Sequence, residues 1–223
     1  RDYYASRGLG DVYKRQLYAL TALKRLGIKP EREVRIIFGC DEESGFEDLK
    51  YYLDYEKAPI AGFTPDCKYP VVYAERGRAV IKVKADLDHL ITFMNKYILN
   101  TQNKGERLGI DYKNDEFGQL EIRNYHLTKE DFSFSISYPA GITLEEILDQ
   151  LNRIEGYEYE VVSHFKPVYF DKKAPMVEIM KETYEYVTGN DGTPVTTTGG
   201  TYAKMMPHIV PFGPVSYTHL RAH

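Results

Sequence analysis

The chain has 223 residues, with 29 Lys/Arg against 33 Asp/Glu and a formal net charge of -4. Its basic residues are spread rather than clustered, so it carries no electrostatic footprint for nucleic acid. No run approaches the roughly 18 apolar residues of a membrane span and no signal peptide is legible, which excludes a membrane partner and predicts a cytoplasmic protein.

In chain order, residues 1–16, "RDYYASRGLGDVYKRQ", show neither helical nor strand periodicity. "GLGDVYKRQ" and the terminal "SYTHLRAH" resemble translated sequencing-adapter sequence, so 1–16 and 216–223 are set aside as non-native ends. "LYALTALKRLG" then places Leu17, Leu20, Leu23 and Leu26 at helix spacing, closed by Gly27 and Pro30. The apolar run Val34 to Phe38 in "EREVRIIFGC" predicts a strand buried on both faces of an α/β sheet. The acidic run that follows sits at its carboxyl end, where open α/β sheets place their sites. Ser44 is a candidate cap for a helix striped by Phe46, Leu49, Tyr52 and Leu53.

Asp66 falls between Pro65 and a short strand, Val71 to Tyr73. "AVIKVKA" reads as a strand, 86–99 as an amphipathic helix, and "QLEIRNYHL" and "FSFSISYP" as strands. "TLEEILDQLNRI" reads as a helix with Thr143 as N-cap and Glu146 closing a capping box, and "YEYEVVSHF" as a strand. "APMVEIMKETYEYVTG" is a helix stopped by Gly189, followed by the glycine-rich "TTTGGTYAKMM" ahead of a further helix and by the short apolar "HIVPFGP". This order predicts a mixed α/β fold in which one compact unit is inserted into another, with boundaries near 78 and 166.

Asp41, Glu42 and Glu43 repel one another. They form either a solvated turn or a seat for a cation. Carboxylate oxygens suit a hard or borderline divalent ion, and two adjacent glutamates can divide the labour of binding and proton abstraction, with Asp66 at a neighbouring strand end. The bend "TTTGGTYAK" offers backbone amides to a carboxylate or oxyanion, or is simply a structural turn. It lacks the GK[ST] ending of a phosphate loop. "DYKNDEFG" has its glycine, Gly118, at the eighth rather than the sixth position of a calcium loop. His89, His126, His164 and His208 have no ligand-spaced company, and there is no G-x-S-x-G elbow. Cys40 and Cys67 are too few for a thiolate zinc cluster and read as reduced thiols.

"IIFGCDEESGFEDLKYYL", "GFTPDCKYPVVYAERGR", "GERLGIDYKNDEFGQLEIRN" and "TTTGGTYAKMMPHIVPFGP" resemble, in this order, blocks of the bacterial Xaa-His dipeptidase/carnosinase-like branch of the di-zinc aminoacylase/carboxypeptidase family. The resemblance implies a mixed-sheet catalytic domain, 17–78 and 167–215, interrupted by a smaller ferredoxin-like α/β lid domain, 79–166, both incomplete. It implies hydrolysis of small dipeptides by water activated at two zinc ions, with manganese or cobalt as other metals. In it Glu42 is the general base, Glu43 and Asp66 are metal ligands, and Gly199, Gly200 and Thr201 contact substrate, with Thr198 where a third glycine is usual. Several family features have no counterpart. These are the H-x-D ligand block, a bridging aspartate, the closing metal histidine, the substrate-facing lid histidine and an arginine at Ser137. The expectation is therefore an internally deleted, inactive fragment of a metallodipeptidase. The alternatives are a non-catalytic binding or oligomerisation module on the same fold, or a deacylase or carboxypeptidase of the same family.

Overall fold

The computed structural model describes residues 5–42 and 45–213, with side chains from Lys14 onward. The first helix, α1, runs over Ala5–Arg25 without interruption, so helix extends through the segment in which no periodicity was read. Hydrogen bonding between backbone groups four residues apart carries it, a pattern that needs no buried face. The predicted apolar stripe is not buried: Leu17 is 44% and Leu26 72% exposed. Residues 216–223 lie outside the described residues.

The strand predicted at Val34 to Phe38 is corrected by the structure. Among the described residues no strand forms over this segment, and Phe38 is 60% exposed. The segment lies along α2 (Glu47–Tyr55), where the Arg35 guanidinium donates to Tyr52 Oη at 3.0 Å and Glu56 Oε2 at 2.9 Å. A strand is a property of a pair, and β-branched residues alone cannot supply the partner. A shallow groove of about 260 Å³ between this segment and α2 is lined by Ile37, Phe38, Leu49, Tyr51 and Tyr55. None of the described residues lining it belongs to the glycine-rich bend.

Strand β1 (Gly62–Thr64) is followed by β2 (Val72–Glu75), in which all four residues are buried. After the single residue Arg76 the chain enters β3 (Gly77–Lys84), where buried and outward positions alternate. Helix α3 (Leu87–Phe93) is capped by Asp86, which accepts from the His89 amide at 3.0 Å, and continues into a wider π-helical turn, Met94–Ile98. A small hairpin, β4 (Lys113–Asn114) and β5 (Gly118–Gln119), precedes the long strands β6 (Glu121–Leu127) and β7 (Asp131–Tyr138). Helix α4 (Leu144–Leu151) carries the predicted capping box: the Glu146 amide donates to Thr143 Oγ1 at 3.2 Å and the Thr143 amide to Glu146 Oε2 at 2.8 Å. Strand β8 (Glu158–Phe165) closes an antiparallel sheet of order β6-β7-β3-β8. Ile81, Leu90, Phe93, Phe132, Phe134, Ile136, Ile147 and Leu151, none of them exposed, form its core under α3 and α4.

The remaining elements build around β2. It pairs antiparallel with β9 (Val168–Tyr169) and parallel with β10 (Val195–Thr197), while β1 pairs in parallel with β11 (Ile209–Pro211). Helix α5 (Pro175–Thr188) ends at Gly189, whose φ of 70° is the left-handed stop the sequence predicted. Val71, Tyr73, Ala74, Val177 and Val210 form one core here, and Leu49, Ala203, Met206 and Ile209 a second beneath α2. The fold is mixed α/β, as expected. No helix among the described residues is long and apolar enough to cross a membrane.

Candidate functional site

The acidic turn is organised by α2. Asp41 caps the helix: its Oδ2 accepts from the Glu47 amide at 2.9 Å. Asp48, in the first helical turn, reaches back so that Oδ2 accepts from the Cys40 amide at 2.6 Å and the Asp41 amide at 3.1 Å. The Tyr202 hydroxyl donates to the same oxygen at 2.7 Å. Partial burial would raise the Asp48 carboxyl, but these donors outweigh it and hold it below the ordinary carboxylate value. Glu42 is half-buried, and its charge, after burial and Asp48, helps raise the Tyr202 hydroxyl above the ordinary phenol. Glu43 and Ser44 lie outside the described residues, and with them the expected approach of Glu43 to Asp66.

Asp66 follows β1 and is half-buried. Burial raises its carboxyl above the ordinary value despite the bond that Oδ1 accepts from the Cys67 amide at 2.7 Å. Burial also raises the Cys67 thiol, and the charges of Glu75 and Asp66 add to that shift. Cys40 is exposed and Cys67 buried, both as thiols.

The glycine-rich bend follows β10 and enters a single 3₁₀ turn, Tyr202–Lys204, in place of the longer helix predicted there. Gly199 and Gly200 are exposed, while Thr201 is buried. Two of the three amides at Gly199, Gly200 and Thr201 face internal acceptors. Gly199 donates to Thr197 Oγ1 at 3.2 Å, and Thr201 to Glu75 Oε2 at 3.3 Å. A Cβ on Gly200 would lie 2.6 Å from Lys204 Cε, so a larger residue there would have to displace the end of the lysine side chain that passes under the bend.

Beneath the bend is a buried polar cluster that sequence reasoning missed. Glu75, 0% exposed at the end of β2, accepts from Thr201 Oγ1 at 2.6 Å and lies 3.5 Å from Lys204 Nζ. The Lys204 ammonium also donates to the Arg76 carbonyl at 2.6 Å and the Lys166 carbonyl at 3.4 Å. Arg76 turns the other way and donates from Nη2 to the Ser137 carbonyl at 2.9 Å and to the Gln119 carbonyl. Burial raises Glu75 and lowers Lys204, while their mutual attraction opposes both shifts. Charged residues directly after an apolar strand, "VVYAERG", were the available signal.

Among the described residues no three His, Cys, Asp or Glu side chains lie close enough to hold a metal ion. Asp66 is the one described member of the expected ligand pair, so the described residues do not fit a dinuclear metal centre. What the arrangement does bring together is the turn bearing Glu42 and the bend bearing Gly199, Gly200 and Thr201, joined through Asp48 and Tyr202.

The chain belongs to peptidase family M20/M25/M40, whose sequence profile matches residues 16–223. Members of this family are in general metal-dependent peptidases. Among particular relatives, a Staphylococcus saprophyticus protein named "Putative dipeptidase" is 20% identical over 305 aligned positions, covering 88% of this chain and 65% of its own length. One from Staphylococcus aureus with the same name is 21% identical with the same coverage. The chain thus spans 65% of the length of these relatives. Because 305 positions exceed the 223 residues of the chain, each alignment includes internal segments of the relative to which no residue here corresponds. In solved structures the fold is similar to a Staphylococcus aureus tripeptidase, with TM-score 0.55, 15% identity, and coverage of 77% of this chain and 53% of that one. It is also similar to human carnosine dipeptidase 1, with TM-score 0.50, 10% identity, and coverage of 88% and 62%.

Proposed function

We propose that this chain is the core of a metal-dependent dipeptidase and is itself catalytically incomplete. In this reading Glu42 takes the proton of the attacking water, Glu43 and Asp66 hold metal, and Gly199, Gly200 and Thr201 meet a small dipeptide. The complete enzyme would carry two zinc ions, or manganese or cobalt, whose chemistry is to polarise the carbonyl and acidify water. The family match across 16–223 carries the reading. The link between the Glu42 turn and the glycine-rich bend supports it, since base and substrate contacts must be held at fixed separation. The unmatched internal segments of the relatives support incompleteness. The same unmatched segments favour, as a second reading, a module that binds without turnover.

The test is dipeptide hydrolysis by the purified chain with zinc, manganese or cobalt, beside Glu42→Gln. No turnover is expected. Turnover near about 10 per second that Glu42→Gln abolishes would refute incompleteness. A hybrid that regains the missing segments from the S. saprophyticus relative should hydrolyse dipeptides and lose activity with Glu42→Gln. A folded hybrid without turnover would favour the binding module, and turnover insensitive to Glu42→Gln would remove the base assignment.

A further inference from the structure

The acidic turn and the glycine-rich bend are 161 residues apart in sequence at their closest hydrogen bond, between the Asp41 amide and Tyr202 Oη at 3.4 Å. Two carboxylates that belong to neither segment's proposed chemistry hold them. Glu75 grips Thr201 from below through its hydroxyl and amide. Asp48 grips Tyr202 from the side, and the same Oδ2 also holds the Cys40 and Asp41 amides on the acidic turn. One carboxylate oxygen therefore serves donors from both segments.

The junction is close-fitting. A Cβ on Gly39 would stand 2.1 Å from Tyr202 Oη and 2.7 Å from Asp48 Oδ2, so the two groups occupy the space a side chain would need. The Tyr202 ring also packs against Phe46, with centroids 5.6 Å apart, and Phe46 packs edge-on against Phe165 at 5.3 Å. The ring is thereby held independently of its hydroxyl.

We propose that Asp48 and Tyr202 are positioning residues that lock the Glu42 turn to the substrate-contacting bend, so that neither can shift without the other. Catalytic use of this lock rests on the peptidase reading, but the lock itself does not. Hydrogen bonds to a charged acceptor contribute about 1.5–3 kcal/mol each. Removing the tyrosine hydroxyl should thus loosen both segments by roughly 10- to 150-fold in local opening, since 1.4 kcal/mol is tenfold.

The experiment is amide hydrogen exchange on the full chain, comparing parent, Tyr202→Phe, Asp48→Ala, Asp48→Asn and the double variant Tyr202→Phe/Asp48→Ala. Tyr202→Phe keeps the ring, and because a bond lost from the folded state weakens global stability by the same free energy, the urea midpoint should fall by no more than that amount. The substitution should accelerate residues 39–41 and 199–203 together, at least tenfold. Asp48→Ala should do the same, the double variant should add little at either segment, and Asp48→Asn, which keeps an acceptor oxygen, should recover part of the protection. Acceleration of one segment alone, additive effects in the double variant, or a fall in the urea midpoint larger than the loss read at the two segments would overturn the proposal. Because the readout is exchange and not turnover, its failure leaves the hydrolysis assay standing, and failure of that assay leaves the lock standing.

Discussion

The Glu75–Lys204 pair offers a sharp energetic test. The two side chains are 0% and 3% exposed, and the ammonium sits 3.5 Å from the carboxylate. Glu75→Gln preserves shape and one acceptor for Thr201 but leaves the ammonium with only the Arg76 and Lys166 carbonyls. Breaking a buried pair from one side costs about 3–5 kcal/mol, whereas replacing both partners by groups of similar volume is often neutral. Burial already lowers the Lys204 ammonium. Loss of a proton can then relieve part of the penalty, which puts Glu75→Gln near the lower limit, about 3 kcal/mol. Lys204→Met leaves Glu75 with two Thr201 donors and the option of binding a proton, which burial favours, so a similar loss of about 3 kcal/mol is expected. The double variant should fall within about 1 kcal/mol of the parent. For a chain of this size a 3 kcal/mol loss lowers Tm by roughly 6–12 °C. Urea melts of the four proteins by circular dichroism measure the cycle. Additive losses, with the double variant some 6 kcal/mol below the parent, would show that the two charges do not compensate each other and would refute the reasoning.

Thr143→Ala removes the Oγ1 acceptor of the α4 capping box, leaving the residue 143 amide donating to Glu146, and should cost about 1 kcal/mol, read as a shift in urea midpoint with the slope unchanged. Gly39→Ala inserts a Cβ where Tyr202 Oη and Asp48 Oδ2 already sit, and should cost about 1–3 kcal/mol by overpacking; Tyr202→Phe in the same background should relieve part of the loss. Asp48 has a folded pKa below its ordinary value of 3.8, so its contribution is present above that value and disappears as pH falls through the folded pKa. Acid titration of stability should accordingly be shallower below about pH 4 for Asp48→Asn than for the parent, and identical slopes would contradict the assignment.

Elements whose cause is local were legible in the sequence. The Thr143–Glu146 box and the Gly189 stop need only neighbours three or four residues away, and both form as read. The alternation in "AVIKVKA" likewise survives as β3 because its partners β7 and β8 lie within the same described unit. "VRIIF" failed for the opposite reason, since its apolar residues specify a willingness to pair while no described strand lies alongside. At the site, adjacency drew attention to Asp41, Glu42 and Glu43. The carboxylates that structure the site are Asp48 and Glu75, single acids whose importance comes from burial and from donors more than 100 residues away. Asp41 proved to be a helix cap, a role its position six residues ahead of Glu47 did not advertise.

The segment from Val34 to Phe38 and the face of α2 beside it also govern how the protein behaves as a colloid. Val34, Phe38, Tyr51 and Tyr55 are each more than half exposed, on a molecule with a net charge of -4 and a pI near 5.9. The nearby Arg35 is already engaged with Glu33 and Glu56, so it adds little net repulsion along the strip. Buffers near pH 6 therefore remove the long-range repulsion between molecules exactly where an aromatic surface favours their contact, and added salt screens what remains. Concentrated solutions will be clearest at low ionic strength and a pH well above 6, and turbidity should mark the isoelectric range first.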